Sequence, residues 1–424
     1  MIATLPLQTT SLRRDRKHSL HHELEAFNGF GTETLTQALL QNRESSHVGV
    51  PVYQNEFWTS KQRAANRLHE ISYRACFKPQ LPRFFIERLT KPGDLVFDPF
   101  MGRGTTLLEA ALLGRVPSGC DVNPLCKKLV APRLNPPTIL EIEERLAEID
   151  FDANAKTPKD LLAFYHPQTL RQICVLRSYL LEREKNHPLD SIDEWIQMVA
   201  LNRLTGHSSG FFSVYTMPPN QAVSVESQLR INKRLGQKPE FRFVPDLILA
   251  KTKSLIGNLS DAERTALRDG RAKAEILVRS CEFLPEIAGD SIDLVVTSPP
   301  FLNVVDYASD NWLRNWFIGL DESTAQFVTH KKLADWKASM ELVLLELHRI
   351  LRPDGWVAFE VGEIQRGKIQ LEDSVISAGI AAGLEPELVL INRQQFTKTA
   401  NCWGVRNNEL GTNTNRVVLF KKAD

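Results

Sequence analysis

The chain has 424 residues, 42% of them apolar and 24% charged, which places it among globular proteins with enough material for one large domain or two. No apolar run approaches the ~20 residues that a membrane span needs, and a net charge of +1 gives no sign of a polyanion held by the whole surface, so any nucleic-acid face must be local. The N-terminus carries a basic run at 11–18 but no apolar signal-peptide core. The six cysteines (Cys76, Cys120, Cys126, Cys174, Cys281, Cys402) show no paired metal spacing and read as small apolar residues of a reducing cytoplasm.

In chain order, the segment 71–82 leads into an amphipathic helix at 83–89. A short buried strand at 94–98 follows and ends in Asp98. It runs into Pro99-Phe100-Met101-Gly102-Arg103-Gly104-Thr105-Thr106, then an apolar helix at 107–113, then a strand at 116–120 ending at Asp121. Strand, glycine loop, helix, strand, acid is a ligand-binding pattern: glycine lets the backbone approach a ligand, and the second acid can hold ribose hydroxyls. The third glycine of a dinucleotide fingerprint is missing, which disfavours a nicotinamide dehydrogenase.

About 150 residues then read as mainly helical, with helices at 138–148, 169–183, 192–204, 223–235 and 245–256. Within them the loop 206–221 is rich in small, aromatic and amide residues, among them Asn220 and Gln221, which suit base edges. Seven bases (Arg230, Lys233, Arg234, Lys238, Arg242, Lys251, Lys253) face two acids (Glu240, Asp246), a local surplus of +5 that suits phosphate contacts or a merely solvated helix face.

The next strand, 276–278, is followed by Arg279-Ser280-Cys281. The apolar strand 292–296 then ends in Thr297-Ser298-Pro299-Pro300-Phe301. Two prolines stop the ladder and stiffen the turn, so a hydroxyl, a carbonyl and an aromatic ring stand at the carboxyl end of a strand, where open α/β sheets bind ligands. Beyond lie Asn303, Asp306 and Tyr307, a helix at 332–351, the turn Arg352-Pro353-Asp354-Gly355, a strand at 356–361 and a C-terminal antiparallel hairpin with amide-rich ends.

Together, Asp-Pro-Phe-x-Gly-x-Gly-Thr-Thr and Ser-Pro-Pro-Phe resemble the two signature loops of S-adenosylmethionine-dependent DNA amino-methyltransferases, chiefly those acting on cytosine N4, in the alpha-group order. The resemblance covers residues 69–130 and 275–421. It implies an α/β, Rossmann-like class I methyltransferase fold with a mostly parallel seven-stranded sheet, an antiparallel C-terminal hairpin and a helical insertion. It divides the chain into an N-terminal extension (1–68), a cofactor half (69–135), a target-recognition insertion (136–272) and a catalytic half (273–424).

The implied cofactor is S-adenosylmethionine, held by Phe77, Lys78, Asp98, Pro99, Phe100, Gly102, Gly104, Thr105, Thr106, Asp121 and Ser280; Ser280 stands where the family commonly has an acid facing adenine. Phe77 and Lys78 would equally suit a docking turn. Ser298, Pro299, Pro300 and Phe301 would be catalytic, with no metal. Asn220, Gln221, Arg230, Lys233, Arg234, Asn303 and Tyr307 would meet double-stranded DNA, whose target base is flipped out to stack on Phe301. Implied partners are DNA and a restriction endonuclease of the same site, with no membrane, a monomer or dimer, and a nucleoid-associated place in the cytoplasm. Adenine N6 as target, an RNA amine, and a catalytically silent DNA-binding subunit are the alternatives.

Overall fold

The computed structural model describes residues 20–38, 49–59, 65–74, 76–216, 222–300, 307–320, 332–361, 363–364, 369–393 and 414–423. Eleven strands are β1 (Leu35–Ala38), β2 (Pro51–Asn55), β3 (Leu95–Asp98), β4 (Val116–Asp121), β5 (Ile276–Val278), β6 (Ile292–Thr297), β7 (Leu351–Val361), β8 (Glu363–Ile364), β9 (Ile369–Gln370), β10 (Leu384–Arg393) and β11 (Thr414–Lys422). Nine form one sheet in the order β1-β2-β10-β11-β7-β6-β3-β4-β5. The pairs β3–β4, β3–β6, β4–β5 and β6–β7 are parallel, while β11 runs antiparallel to both β7 and β10. The seven expected strands are thus present. Two more, β1 and β2, come from the N-terminal extension and lengthen the edge, β2 lying parallel to β10.

The chain winds outward from β3 through β4 to β5 on one side and from β6 to β7 on the other. The switch point therefore falls between β3 and β6, paired through Val96↔Leu294 and Phe97↔Val295. A crevice opens at the carboxyl ends of strands at such a point, and this is where doubly wound sheets bind ligands. All six residues of β6 are buried, as a central parallel strand covered on both faces requires. Alternation divides the core: Val96, Leu294 and Val296 pack with Leu81, Phe85 and Ala358 on one face. Phe97 and Val295 pack with Trp336, Leu344 and Val357 on the other.

Helices cover the sheet and build the insertion: α1 (Gln80–Leu89), α2 (Thr105–Leu112), α3 (Pro124–Val130), α4 (Ile139–Ala147), α5 (Pro167–Asn186), α6 (Ser191–Arg203), α7 (Val225–Leu235), α8 (Val244–Ile256), α9 (Asp261–Lys273), α10 (Tyr307–Asp310), α11 (Trp312–Phe317), α12 (Leu333–Ile350) and α13 (Glu372–Ala381). All five expected insertion helices form, and α9 is an addition. Its start carries a capping box, Ser260 with Glu263, a Ser-x-x-Glu signal visible in the sequence. The insertion shares a core with the glycine loop's surroundings: Trp195, Ile196, Val199 and Phe212 belong to one cluster with Met101, Leu107, Leu129 and Val130. Of the cysteines, Cys120, Cys126, Cys174 and Cys281 are buried, Cys76 is half-buried, all five are free, and Cys402 lies outside the described residues. Among the described residues no helix is long and apolar enough to cross a membrane.

Candidate active site

The glycine loop is shaped by two left-handed residues, Gly102 (φ 49°) and Gly104 (φ 72°). Gly104 also lies so close to α3 that a Cβ there would sit 2.5 Å from Val130 Cγ2, so neither its backbone conformation nor its surroundings admit a side chain. At Gly102 a Cβ would be in ordinary contact with Tyr73 at 3.7 Å and Cys76 at 3.8 Å, so these two residues lie against the loop. Both carboxyl oxygens of Asp121, at the end of β4, accept backbone N–H groups, from Gly102 at 3.0 Å and Asn123 at 2.9 Å. Burial pushes its carboxyl above the ordinary range. Ser280 stands at the end of neighbouring β5, exposed, beside Arg279, whose backbone N–H bonds the Asp121 carbonyl. Arg279 itself pairs with Glu286.

The second loop is fastened to the first. Thr297 Oγ1 donates to Asp98 Oδ1 at 2.6 Å, and Thr106 Oγ1 donates to the Val296 carbonyl at 3.0 Å. Asp98 also accepts from the Phe100 N–H at 3.0 Å. It is fully buried, and burial raises its carboxyl to about 7 against these hydrogen bonds. Thr105 and Thr106 are buried and held in this framework: Thr105 Oγ1 accepts from Arg103, and Thr106 ties α2 to β6. Pro99 presents its carbonyl to the Cys120 thiol at 3.3 Å. Phe100 is half-buried against the core that contains Phe97.

Beyond β6, Ser298 is half-buried, Pro299 buried and Pro300 exposed. The Pro300 carbonyl accepts from the Trp336 indole at 3.1 Å, which fixes the turn from α12. Phe301, Asn303, Asp306, Asn220 and Gln221 lie outside the described residues, and of Tyr307 only the backbone, opening α10, is described.

Several residues that the sequence did not single out complete the site. Arg103 donates to the Ile71 carbonyl at 2.9 Å and Arg133 to the Leu68 carbonyl at 3.1 Å. Burial holds the Arg133 guanidinium down to about 9. These two buried guanidiniums, with His69 bonded to Glu109 at 2.7 Å, clamp the 68–77 backbone over the glycine loop. Arg74 pairs with Asp310 at 2.7 Å, joining that segment to α10. Phe77 and Lys78 follow it, both partly buried, and burial lowers the Lys78 ammonium. On β7, Glu360 is buried and accepts from Asn415 Nδ2 of β11. Burial raises its carboxyl, while the Asn415 amide and the Ser298 hydroxyl act to lower it. A lone acid inside the apolar run 356–361 was the signal that could have found it.

The basic residues of the insertion divide. Arg230, Lys233, Arg234 and Lys238 are exposed on or just after α7. The other three have structural partners: Arg242 donates to the Ser208, Phe211 and Ser213 carbonyls, Lys251 pairs with Glu70 and Lys253 with Glu143. The loop at 206–216 is likewise built on its own bonds, Thr216 N–H to the Gly206 carbonyl and Val214 N–H to the Phe164 carbonyl. Asn392, from the amide-rich tail, is buried and accepts from the Phe57 and Trp58 N–H groups, anchoring the N-terminal extension.

Residues 26–131 match the N6/N4 methyltransferase family of DNA methylases, a span that takes in β1 and β2 and ends after the Gly102–Gly104 loop. Over that span the chain is similar to DNA amino-methyltransferases. It is similar to the type II methyltransferase M.BsoBI of Geobacillus stearothermophilus, 23% identical over 62% of this chain and 55% of that protein. It is similar to the type II methyltransferase M.MvaI of Kocuria varians, 23% identical over 57% of this chain and 54% of that one. A shorter stretch is similar to the tRNA (guanine(10)-N2)-dimethyltransferase of Methanocaldococcus jannaschii, 32% identical over 18% of this chain and 25% of that protein. The chain thus spans just over half the length of M.BsoBI and M.MvaI.

S-adenosylmethionine is the cofactor that goes with this similarity. The residues fit it: Asp121 at the end of β4 suits ribose hydroxyls, the left-handed backbone at Gly102 suits close approach of a ligand, and Tyr73 and Cys76 are held against that loop.

Proposed function

We propose that the protein methylates an exocyclic amine of a DNA base, cytosine N4 in a specific duplex site. One observation carries this reading: the Thr297–Asp98 bond of 2.6 Å, which seats Ser298-Pro299-Pro300 against the glycine loop at the switch point. When bound, S-adenosylmethionine supplies an electrophilic methyl on a sulfonium. Asp121 and Ser280 would hold its nucleoside end, and the Gly102 backbone, Phe77, Lys78 and Asp98 the region of its amino-acid end. The amine lone pair of a cytosine is delocalised into the ring. Accepting its two hydrogens at Ser298 Oγ and the Pro299 carbonyl localises that pair on nitrogen and stabilises the positive charge that develops there. With the methyl supplied and the cofactor leaving as a neutral thioether, Ser298 Oγ and the Pro299 carbonyl would hold the amine while nitrogen takes the methyl, and the proton it then gives up would pass to solvent. The fixed prolines supply alignment. Phe301 would stack on the flipped base, with Asn303 and Tyr307 at the pocket edge, while Asn220, Gln221, Arg230, Lys233 and Arg234 would read or grip the duplex from the insertion, 136–272.

Serine, rather than aspartate or asparagine, at position 298 favours cytosine N4 over adenine N6. A second reading, an RNA amine, has the local similarity to a tRNA dimethyltransferase in its favour. A restriction endonuclease of matching specificity and association with the nucleoid belong to the same proposal. The test is direct: incubate the protein with duplex DNA or tRNA and isotopically labelled S-adenosylmethionine, digest, and identify the nucleoside by mass spectrometry. N4-methylcytosine from DNA is expected. N6-methyladenine would move the target, label in tRNA alone would favour the second reading, and no transfer together with failure to bind cofactor would argue for a silent DNA-binding subunit.

A further inference from the structure

We propose that Glu360 is the positioning residue of the amine acceptor: it takes the Ser298 hydroxyl proton, so that both Ser298 lone pairs face the target. This rests on the reading of Ser298 as the acceptor. A serine hydroxyl has one hydrogen and two lone pairs. Free to rotate, it would spend part of its time pointing the hydrogen at the incoming amine, where it repels rather than accepts. In this site the choice is made by neighbouring strands. Thr297 pairs with Phe359 across β6 and β7, so the residue after each, Ser298 and Glu360, lie side by side. The Ser298 hydroxyl acts with the Asn415 amide to lower the Glu360 carboxyl against its burial. Asn415 Nδ2, on β11, donates to Glu360 Oε1 and fixes the carboxyl from the far side. Glu360 is 8% exposed, so water does not compete freely for it. Ser298 follows the end of β6, Glu360 is the next-to-last residue of β7 and Asn415 lies near the start of β11, so the three gather at the end of the sheet that carries the crevice. A buried carboxyl costs stability unless it is well bonded, and an apolar residue would pack there more easily. Its position beside the acceptor accounts for an acid there.

The isosteric change Glu360→Gln tests this by inverting one hydrogen bond. With Asn415 donating to Oε1, glutamine keeps its oxygen there and turns its NH2 toward Ser298. Ser298 must then accept from residue 360 and point its own hydrogen into the pocket. The single-turnover methyl-transfer rate of Glu360→Gln should fall ~10²-fold, approaching that of Ser298→Ala, with cofactor affinity unchanged. In the Ser298→Ala background Glu360→Gln should add less than about 3-fold, because partners acting through one group are not additive. A cofactor-free readout accompanies this. The wild type should bind a duplex with cytosine at the target more tightly than one with 2-pyrimidinone, which lacks the amine, and both variants should lose that preference. Full additivity of the two substitutions, or a preserved preference in Glu360→Gln, would make Glu360 a structural acid and overturn the inference. If the wild type methylates no DNA amine, the reading of function fails instead, and the two failures are distinct.

Discussion

The crest shared by β3 and β6 and the outer face of α7 are built on opposite principles. At the crest nearly every polar atom is inside and assigned: Asp98 is 1% exposed and Thr297 and Thr106 are fully buried, and each hydroxyl reaches across to the neighbouring strand or loop. On α7 only Gln228 is buried, and Arg230, Lys233 and Arg234 stand in solvent with Leu229 and Leu235. A site of the first kind works through geometry, so one displaced atom changes chemistry. A face of the second kind works through summed charge, so single residues matter little and salt matters a great deal.

The sharpest way to break this contrast is at Ser298. Ser298→Ala should slow methyl transfer ~10²–10³-fold, the loss expected for one group stabilising transition-state charge. Cofactor affinity should barely move, and DNA affinity should fall only by the wild type's preference for cytosine over 2-pyrimidinone. Single-turnover kinetics at saturating cofactor and DNA measures this, and a wild-type rate would reduce the loop to a structural turn.

Next in size is a pair of glycines. Gly104→Ala places a methyl 2.5 Å from Val130 at φ 72°, and overpacking should cost about 1–3 kcal/mol beyond the backbone strain. Gly236, which ends α7 at φ 60°, has nothing within 4 Å of a Cβ. Gly236→Ala should therefore cost only the left-handed strain, about 1–2 kcal/mol. Urea denaturation of both variants gives the difference, and equal losses would show that α3 yields to Gly104.

Asp98 offers a gentler test. Its carboxyl is raised from 3.8 to about 7, so the native state holds a proton that the unfolded chain has released. Its contribution to stability is present at low pH and is lost as pH climbs from about 4 to about 7, at no more than about 1.4 kcal/mol per pH unit. Asp98→Asn should flatten that part of the profile, read as urea midpoints from pH 4 to 8. An unchanged slope would mean that Asp98 ionises normally.

The smallest structural effect belongs to α7. Reversing Arg230, Lys233 and Arg234 together should change stability by less than about 0.5 kcal/mol for each exposed site. Yet the plot of log DNA affinity against log salt should become shallower, by roughly 0.9 for each phosphate that is no longer neutralised. A slope equal to that of the wild type would leave this face merely solvated.

Much of this was legible in the chain. The strands at 95–98, 116–121 and 292–297, the left-handed glycine loop and the proline stop after Ser298 were all readable, because they follow from local rules: apolar runs, glycine's freedom and proline's fixed φ. The Ser260-x-x-Glu263 cap of α9 was equally local. What only tertiary structure decided is which polar groups face each other. The seven insertion bases look alike in sequence. Yet Arg242, Lys251 and Lys253 hold the protein's own carbonyls and acids, while Arg230, Lys233 and Arg234 face solvent. Nothing in the sequence marked Arg103 and Arg133 as the buried clamps that they are. Thr297 meets Asp98 across 199 positions, and Glu360 meets Ser298 because β6 and β7 lie side by side. Periodicity fixes which way a residue points within its own element, but a hydrogen bond between strands depends on register and sheet order, which arise only when the whole chain has closed around its core.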